Sequence, residues 1–226
     1  MAGSNLSAKR VYLLAGHYGS GKTNIAVNLA LKLKAEGHQV RIADLDIVNP
    51  YFRTKDSADA LEQAGIPLIS PAFANTNVDL PALPAEVYGL MQQKESIAIM
   101  DIGGDDRGAY ALGRYAPSIL EEGDYEMCFV ANFYRPLTPT PQDALEIMRE
   151  IEQAAGIPFT AIIHNSNLGN ATDANAVEAC FEKANELASL SGLPILYTAA
   201  RADLCADIHA ENLLPLTLQD KVLRIL

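Results

Sequence analysis

Residues 13–31 read LLAGHYGSGKTNIAVNLAL: an apolar run, a turn rich in glycine, then apolar residues at helical spacing. Gly16, Gly19 and Gly21 let the backbone turn tightly and aim its N–H groups inward. Those donors, with the positive end of the following helix, suit phosphate oxygens. The spacing Gly16-x-x-x-x-Gly21-Lys22-Thr23 adds a mobile cation for the β- and γ-phosphates at Lys22. It also places a hydroxyl ligand for Mg²⁺ at Thr23. Ser20 and Asn24 lie inside the same cradle and are expected nucleotide contacts. The required context is present on both sides. "RVYLLA" (10–15) reads as a buried strand, and 23–37 as a helix carrying Ile25, Leu29, Lys32 and Leu33 at a 3.6-residue period, stopped by Gly37.

Outward from this loop, apolar runs alternate with amphipathic stretches. Strands are expected at 39–46, 66–70, 96–104, 125–133, 159–167 and 193–199. Helices are expected at 56–65, 84–93, 106–121, 141–155 and 173–190, with a further candidate in "LTLQDKVLRIL" (216–226). Continuous apolar strands separated by helices predict an α/β fold: a doubly wound, mostly parallel sheet with helices on both faces. No repeat, linker or low-complexity tract divides the chain, so residues 1–226 are expected to form a single nucleotide-binding domain. Two proline-rich segments, 71–86 and "NFYRPLTPTPQD" (132–143), follow strands at the end where ligands bind in such sheets.

Two strands end in acid. Asp101 closes "IAIMD" and is placed to hold Mg²⁺; Asp101-Ile102-Gly103-Gly104 matches D-x-x-G, whose last glycine N–H can contact a γ-phosphate. Asp44 and Asp46 are two apart and share a face if the strand persists. Asp46, nearer the strand end, is the better candidate to orient an attacking water. Lys22 and Asp46 are therefore the expected catalytic pair, and Thr23 and Asp101 the expected metal ligands.

Composition narrows the partners. The formal net charge of -11 disfavours non-specific nucleic-acid binding, which runs on Lys and Arg. Cys128, Cys180 and Cys205 are far apart and form no C-x-x-C, which argues against disulfide or metal scaffolding. The first ten residues lack the apolar core of a signal peptide, and no run of 18 apolar residues spans a membrane. A cytoplasmic location is expected, and the terminal candidate helix has too few cations for a membrane-surface anchor.

The loop, the D-x-D after the first helix and the Asp101 strand together resemble the MinD/ParA/CobQ-type branch of P-loop NTPases. That branch includes the signal-recognition GTPases, the arsenite-pump ATPase, nickel-insertion factors and dethiobiotin synthetase. "GHYGSGKT" with "DLDIVNPYFR" is similar to a group of bacterial ATP-binding proteins. The resemblance implies that Lys22 and Thr23 serve phosphate and Mg²⁺, that Asp46 positions the hydrolytic water, and that Asp101 is the Walker B acid. It also implies that Asn165, ending "FTAIIHN", reads the base. One position departs from the pattern. MinD and ParA keep an early loop lysine that reaches across a dimer, and this chain has His17. A nucleotide-dependent homodimer therefore stays open.

GTP readers of the branch use N-K-x-D, whereas this chain has Asn165-Ser166-Asn167-Leu168, so the expected nucleotide is ATP with Mg²⁺. Asp203, in the loop after the last strand, is a candidate to finish the base platform. Three functions follow. The first is an ATPase switch whose loops at 46–55 and 102–110 are read by a protein partner; Tyr51, Phe52 and Arg53 suit such an interface. The alternative is a small-molecule kinase or ligase resembling dethiobiotin synthetase, with Arg53, Arg107, Arg114 and Arg135 offered to an anionic acceptor. A metal-carrying maturation factor is disfavoured by four scattered histidines.

Overall fold

The computed structural model describes residues 8–46, 57–69, 85–104 and 106–218. Strand β1 (Val11–Ala15) leads through the glycine loop into helix α1 (Lys22–Ala35) and strand β2 (Val40–Leu45). Helix α2 (Ala58–Gln63), strand β3 (Leu68–Ile69), helix α3 (Ala85–Gln92) and strand β4 (Ile97–Ile102) follow. Then come helices α4 (Asp106–Gly113) and α5 (Ala116–Glu122), strand β5 (Tyr125–Ala131), helix α6 (Pro141–Ala155) and strand β6 (Ala161–His164). Helices α7 (Ala174–Glu178) and α8 (Phe181–Ser191), strand β7 (Ile195–Arg201) and strand β8 (Leu213–Leu216) complete the described chain, with 3₁₀ turns at Gly169–Ala171 and Ala202–Asp207.

The eight strands form one sheet in the order β3-β2-β4-β1-β5-β6-β7-β8, and every pair is parallel. This is the doubly wound α/β fold that the alternating pattern predicted. Side chains alternate between the faces. Val11, Leu13 and Ala15 pack into the core under α3, α4, α6 and α8, while Tyr12 and Leu14 pack under α1 and α2. Each fully buried Leu or Ile in these layers contributes about 1.5–3 kcal/mol.

Three expectations change. The helix expected at 106–121 is two helices, because the Pro117 ring cannot sit inside a continuous helix and instead occupies the first turn of α5. The helix expected at 173–190 is likewise α7 and α8, with Ala179 and Cys180 between them. The expected terminal helix does not begin at Leu216, which ends strand β8; residues 219–226 lie outside the described residues. Strand β8 went unread because it is four residues long and contains Pro215, which an edge strand tolerates.

The strand order places the crevice. From β1 the chain builds β2, β3 and β4 to one side and then β5 to β8 to the other, so the direction reverses between β1 and β5. Ligands in open parallel sheets bind at the carboxyl ends of the strands at such a switch point. The glycine loop sits there: a Cβ on Gly16 would lie 2.7 Å from the Val130 carbonyl of β5.

Candidate nucleotide site

The loop from Gly16 to Gly21 is closed by a turn in which the Ser20 N–H donates to the His17 carbonyl, 3.1 Å. Gly21 is the N-cap of α1 at φ 95°, a left-handed conformation that an L side chain would strain. It brings no side-chain cap, and the first turn of α1 carries no acid. The helix start therefore keeps its N–H donors and positive end for an anion. The contrast is α6, whose first turn is closed by Thr140 and Asp143 in a reciprocal capping box.

Lys22 is buried, and its Nζ donates to the carbonyls of Gly16 (3.0 Å) and His17 (3.2 Å). The ammonium thus lies along the inner wall of the loop. Two further polar atoms in the cradle, Ser20 Oγ and Asn24 Oδ1, are buried without a hydrogen-bond partner among the described residues. Unsatisfied buried polar atoms are costly and uncommon, and they fit a polar ligand here.

Thr23 Oγ1 donates to Asp101 Oδ2 at 2.7 Å, joining the start of α1 to β4. Asp101 is fully buried and pairs in register with Asp44 of the neighbouring strand β2. Asp44 accepts from the Asp46 N–H at 3.0 Å, so the D-x-D pair holds its own turn at the strand end. Asp44, Asp46 and Asp101 are all buried at this one edge of the sheet. A hydroxyl and a carboxylate in contact are oxygen donors of the kind Mg²⁺ takes alongside phosphate oxygens and water, so the residues present fit that ion. Among the described residues, no group of three or more His, Cys, Asp or Glu is arranged to hold a metal.

Gly104 reaches the same point from the other side. A Cβ there would lie 2.7 Å from the Tyr18 N and 2.8 Å from Lys22 Nζ. Only glycine lets this backbone approach the loop so closely, and that contact could not be read from the motif spacing.

Asn165, expected to read the base, is buried, and its Nδ2 donates to the Ser20 carbonyl at 2.7 Å. That bond ties the end of β6 to the glycine loop. Asn167 Nδ2 donates to the Asn165 carbonyl at 2.9 Å. Asp203, the candidate platform residue, is held by Arg201 through two bonds, Nε–Oδ1 2.9 Å and Nη2–Oδ2 2.7 Å. The His17 ring bonds the Tyr18 carbonyl at 3.0 Å. Burial holds its imidazole below the usual histidine range; the Tyr18 bond opposes this, and the Lys22 charge adds to it. His17 is therefore neutral at pH 7.

Of the four loop arginines, Arg53 lies outside the described residues, as do Tyr51 and Phe52. Arg107 lies in α4, Arg114 is exposed between α4 and α5, and Arg135 lies against the glycine loop. The sequence did not reveal Asn132, which organises the loop after β5. It is buried, and its Oδ1 accepts from the N–H groups of Tyr134 (3.1 Å) and Asn167 (3.3 Å).

The parallel sheet, with this loop between β1 and α1 and acids at the ends of β2 and β4, is the P-loop NTPase fold. The chain is 26% identical over 196 residues to the Signal recognition particle protein of Mycobacterium leprae, a match covering 83% of this chain and 34% of that protein. The solved FtsY of Thermotoga maritima superposes with a TM-score of 0.59 at 20% identity, covering 88% of this chain and 64% of that one. The Signal Recognition Particle 54 kDa protein of Aeropyrum pernix, solved in complex with GDP, gives a TM-score of 0.55 at 19% identity, covering 85% of this chain and 42% of that one. The chain thus spans about a third of the curated relative and less than two thirds of these solved chains. No protein-family model matches it. These likenesses support the branch of P-loop proteins that the sequence resembles, without singling out MinD or ParA within it. Among the described residues, no helix is long and apolar enough to cross a membrane.

Proposed function

We propose that this chain binds a magnesium nucleoside triphosphate, ATP in our reading, and hydrolyses it slowly as a conformational switch read by a protein partner. Gly16, Gly19, Ser20, Gly21, Lys22, Thr23 and Asn24 form the phosphate cradle. Thr23 and Asp101 would hold Mg²⁺, which when bound neutralises charge on the β- and γ-phosphates. Asp46 orients the attacking water.

The observation that carries the switch is the contact of Gly104 with Lys22 and Tyr18. A γ-phosphate that draws Lys22 Nζ from the Gly16 and His17 carbonyls would act beside Gly104, where an added Cβ would fall 2.8 Å from that Nζ. The loop that follows Asp101 is therefore coupled mechanically to the phosphate. A two-position loop read by a partner is a common form of nucleotide switch.

The chain lacks the lysine and aspartate of N-K-x-D, which supports ATP; two of the similar solved proteins were crystallised with GDP. Calorimetric titration with MgATP and MgGTP tests this directly. Tighter GTP binding would overturn the base assignment and leave the phosphate chemistry standing.

Lys22→Ala is expected to lower triphosphate affinity by roughly 100-fold, the loss of charge-assisted bonds in a buried site. Asp46→Ala is expected to bind normally and to lose turnover. Wild-type affinity in the first variant would sink the cradle mechanism, and unchanged turnover in the second would remove Asp46 from its role. A ³¹P assay with a metabolite pool separates the two activities. Phosphate transferred to a small molecule would replace the switch by a kinase. Light scattering with a non-hydrolysable analogue reads whether a homodimer forms with a neutral His17 in place of lysine.

A further inference from the structure

We infer that Arg135, carried by the loop after β5, is the second fixed cation of the nucleotide site and acts directly on the phosphates of the bound triphosphate. The inference rests on the nucleotide-binding reading above and extends it to a residue outside the P-loop motif.

A Cβ placed on Gly19 would lie 3.5 Å from Arg135 Nε, 3.6 Å from Cζ and 3.7 Å from Cδ. The guanidinium therefore lies against the middle of the phosphate loop. A Cβ at position 19 would make ordinary van der Waals contact with this arginine; it is the φ of 74° that favours glycine there. Arg135 Nε is buried and has no hydrogen-bond partner among the described residues. A buried guanidinium N–H without an acceptor is costly, and a phosphate oxygen is the acceptor its planar fork fits best.

The loop is built to hold the arginine there. The Arg135 N–H donates to the Asn132 carbonyl (3.2 Å), and its carbonyl accepts from the Thr138 N–H (3.1 Å). Thr138 Oγ1 donates to the same Asn132 carbonyl at 2.9 Å, and the Phe133 N–H donates to Ser166 Oγ at 3.1 Å. The backbone is thus pinned on both sides of Arg135 and to the end of β6. The proline-rich segment "NFYRPLTPTPQD" has a purpose in this arrangement: it presents one cation at a set place.

The triphosphate brings several negative charges to a chain of net charge -11, beside the buried Asp44, Asp46 and Asp101. Within the loop itself Lys22 is the permanent cation, and burial holds the His17 imidazole below its usual range. Position 17 does not supply the additional positive charge found in loops with an early lysine. Arg135 supplies one from the neighbouring loop, in the same chain and without a dimer partner.

The test is calorimetry on Arg135→Lys, Arg135→Met and Arg135→Ala with MgATP, MgGTP and base-free magnesium tripolyphosphate. Met keeps much of the side-chain bulk against Gly19 and removes the charge. We expect Met and Ala to lose roughly tenfold or more in affinity, by similar factors for the ligands that the wild type binds, while Lys retains part of it. Thermal melting is expected to be unchanged in all three. Three results would overturn the inference: no loss in Met, which would make the contact one of packing; a loss confined to one base, which would make it a base contact; or a loss that follows a lowered melting temperature. Wild-type protein that binds none of the three ligands would instead remove the nucleotide-binding reading itself.

Discussion

Gly21 shows how much a single position has to satisfy. It lies at φ 95°, and a Cβ there would fall 2.3 Å from Asn165 Nδ2. Gly21→Ala therefore meets backbone strain of about 1–2 kcal/mol and displaces the bond from Asn165 to Ser20. The expected outcome is loss of nucleotide binding with a lowered melting temperature. Asn165→Ala separates the two effects. It removes a buried donor from the Ser20 carbonyl without straining Gly21, and should destabilise by about 1–3 kcal/mol. It should also loosen the loop, and calorimetry beside a urea titration would show both. An unaltered affinity would mean that the cradle keeps its shape without this tie. The residue chemistry of the cradle was legible in the sequence because Gly16 to Thr23 are contiguous. The partners that shape it, Gly104, Arg135 and Asn165, come from three other loops, and no local spacing announces their contacts.

At the level of elements, the apolar period placed seven of the eight strands to within a few residues. Thr140, Pro141 and Asp143 start α6 at the residue expected from the sequence. Thr140→Ala should remove one side of the capping box and cost about 1 kcal/mol, read as a shifted urea midpoint with an unchanged slope. Because α6 directly follows the loop that carries Arg135, the same variant should weaken triphosphate binding only slightly if the Asn132 bonds hold the loop independently. The periodic pattern failed where a helix is interrupted without losing its apolar face. Between α4 and α5, Leu112, Tyr115 and Ile119 keep the 3.6-residue spacing and are all buried across the break. Periodicity reports which residues face the core, and a short interruption leaves that unchanged.

Across the whole molecule, burial sets how stability responds to pH. His164 at the end of β6 is 0% exposed and lies between the rings of Phe133 and Phe181, with centroids 6.3 and 5.7 Å away. Burial pushes its imidazole down from 6.5 to about 4. Between those values the unfolded chain binds the proton and the folded chain does not. Stability is therefore fully present above pH 6.5 and falls as pH drops toward 4, by about 3 kcal/mol in total from this group. Urea titrations at pH 7 and 4.5 should show the loss, and His164→Phe should flatten that part of the profile. At the opposite end of the sheet, Arg10 of the segment entering β1 is ion-paired with Glu122 of α5 and donates to the Leu90 carbonyl of α3 at 3.2 Å. Both side chains of the pair are only 9% exposed. Glu122→Ala removes the carboxylate of a buried ion pair, while Arg10 keeps its bond to the Leu90 carbonyl; it should cost about 1–3 kcal/mol, whereas nucleotide affinity should not change. By itself, the sequence determined the class of fold, the glycine-rich turn between β1 and α1 and the two acidic strand ends, because each depends on residues adjacent in the chain or on a simple period. The tertiary structure alone decided that Gly104 leaves no space for a side chain beside Tyr18 and Lys22, that Asn165 ties down the loop and that Arg135 lies against Gly19. Those contacts depend on the strand order at the β1–β5 switch point, which brings four separate loops to one place.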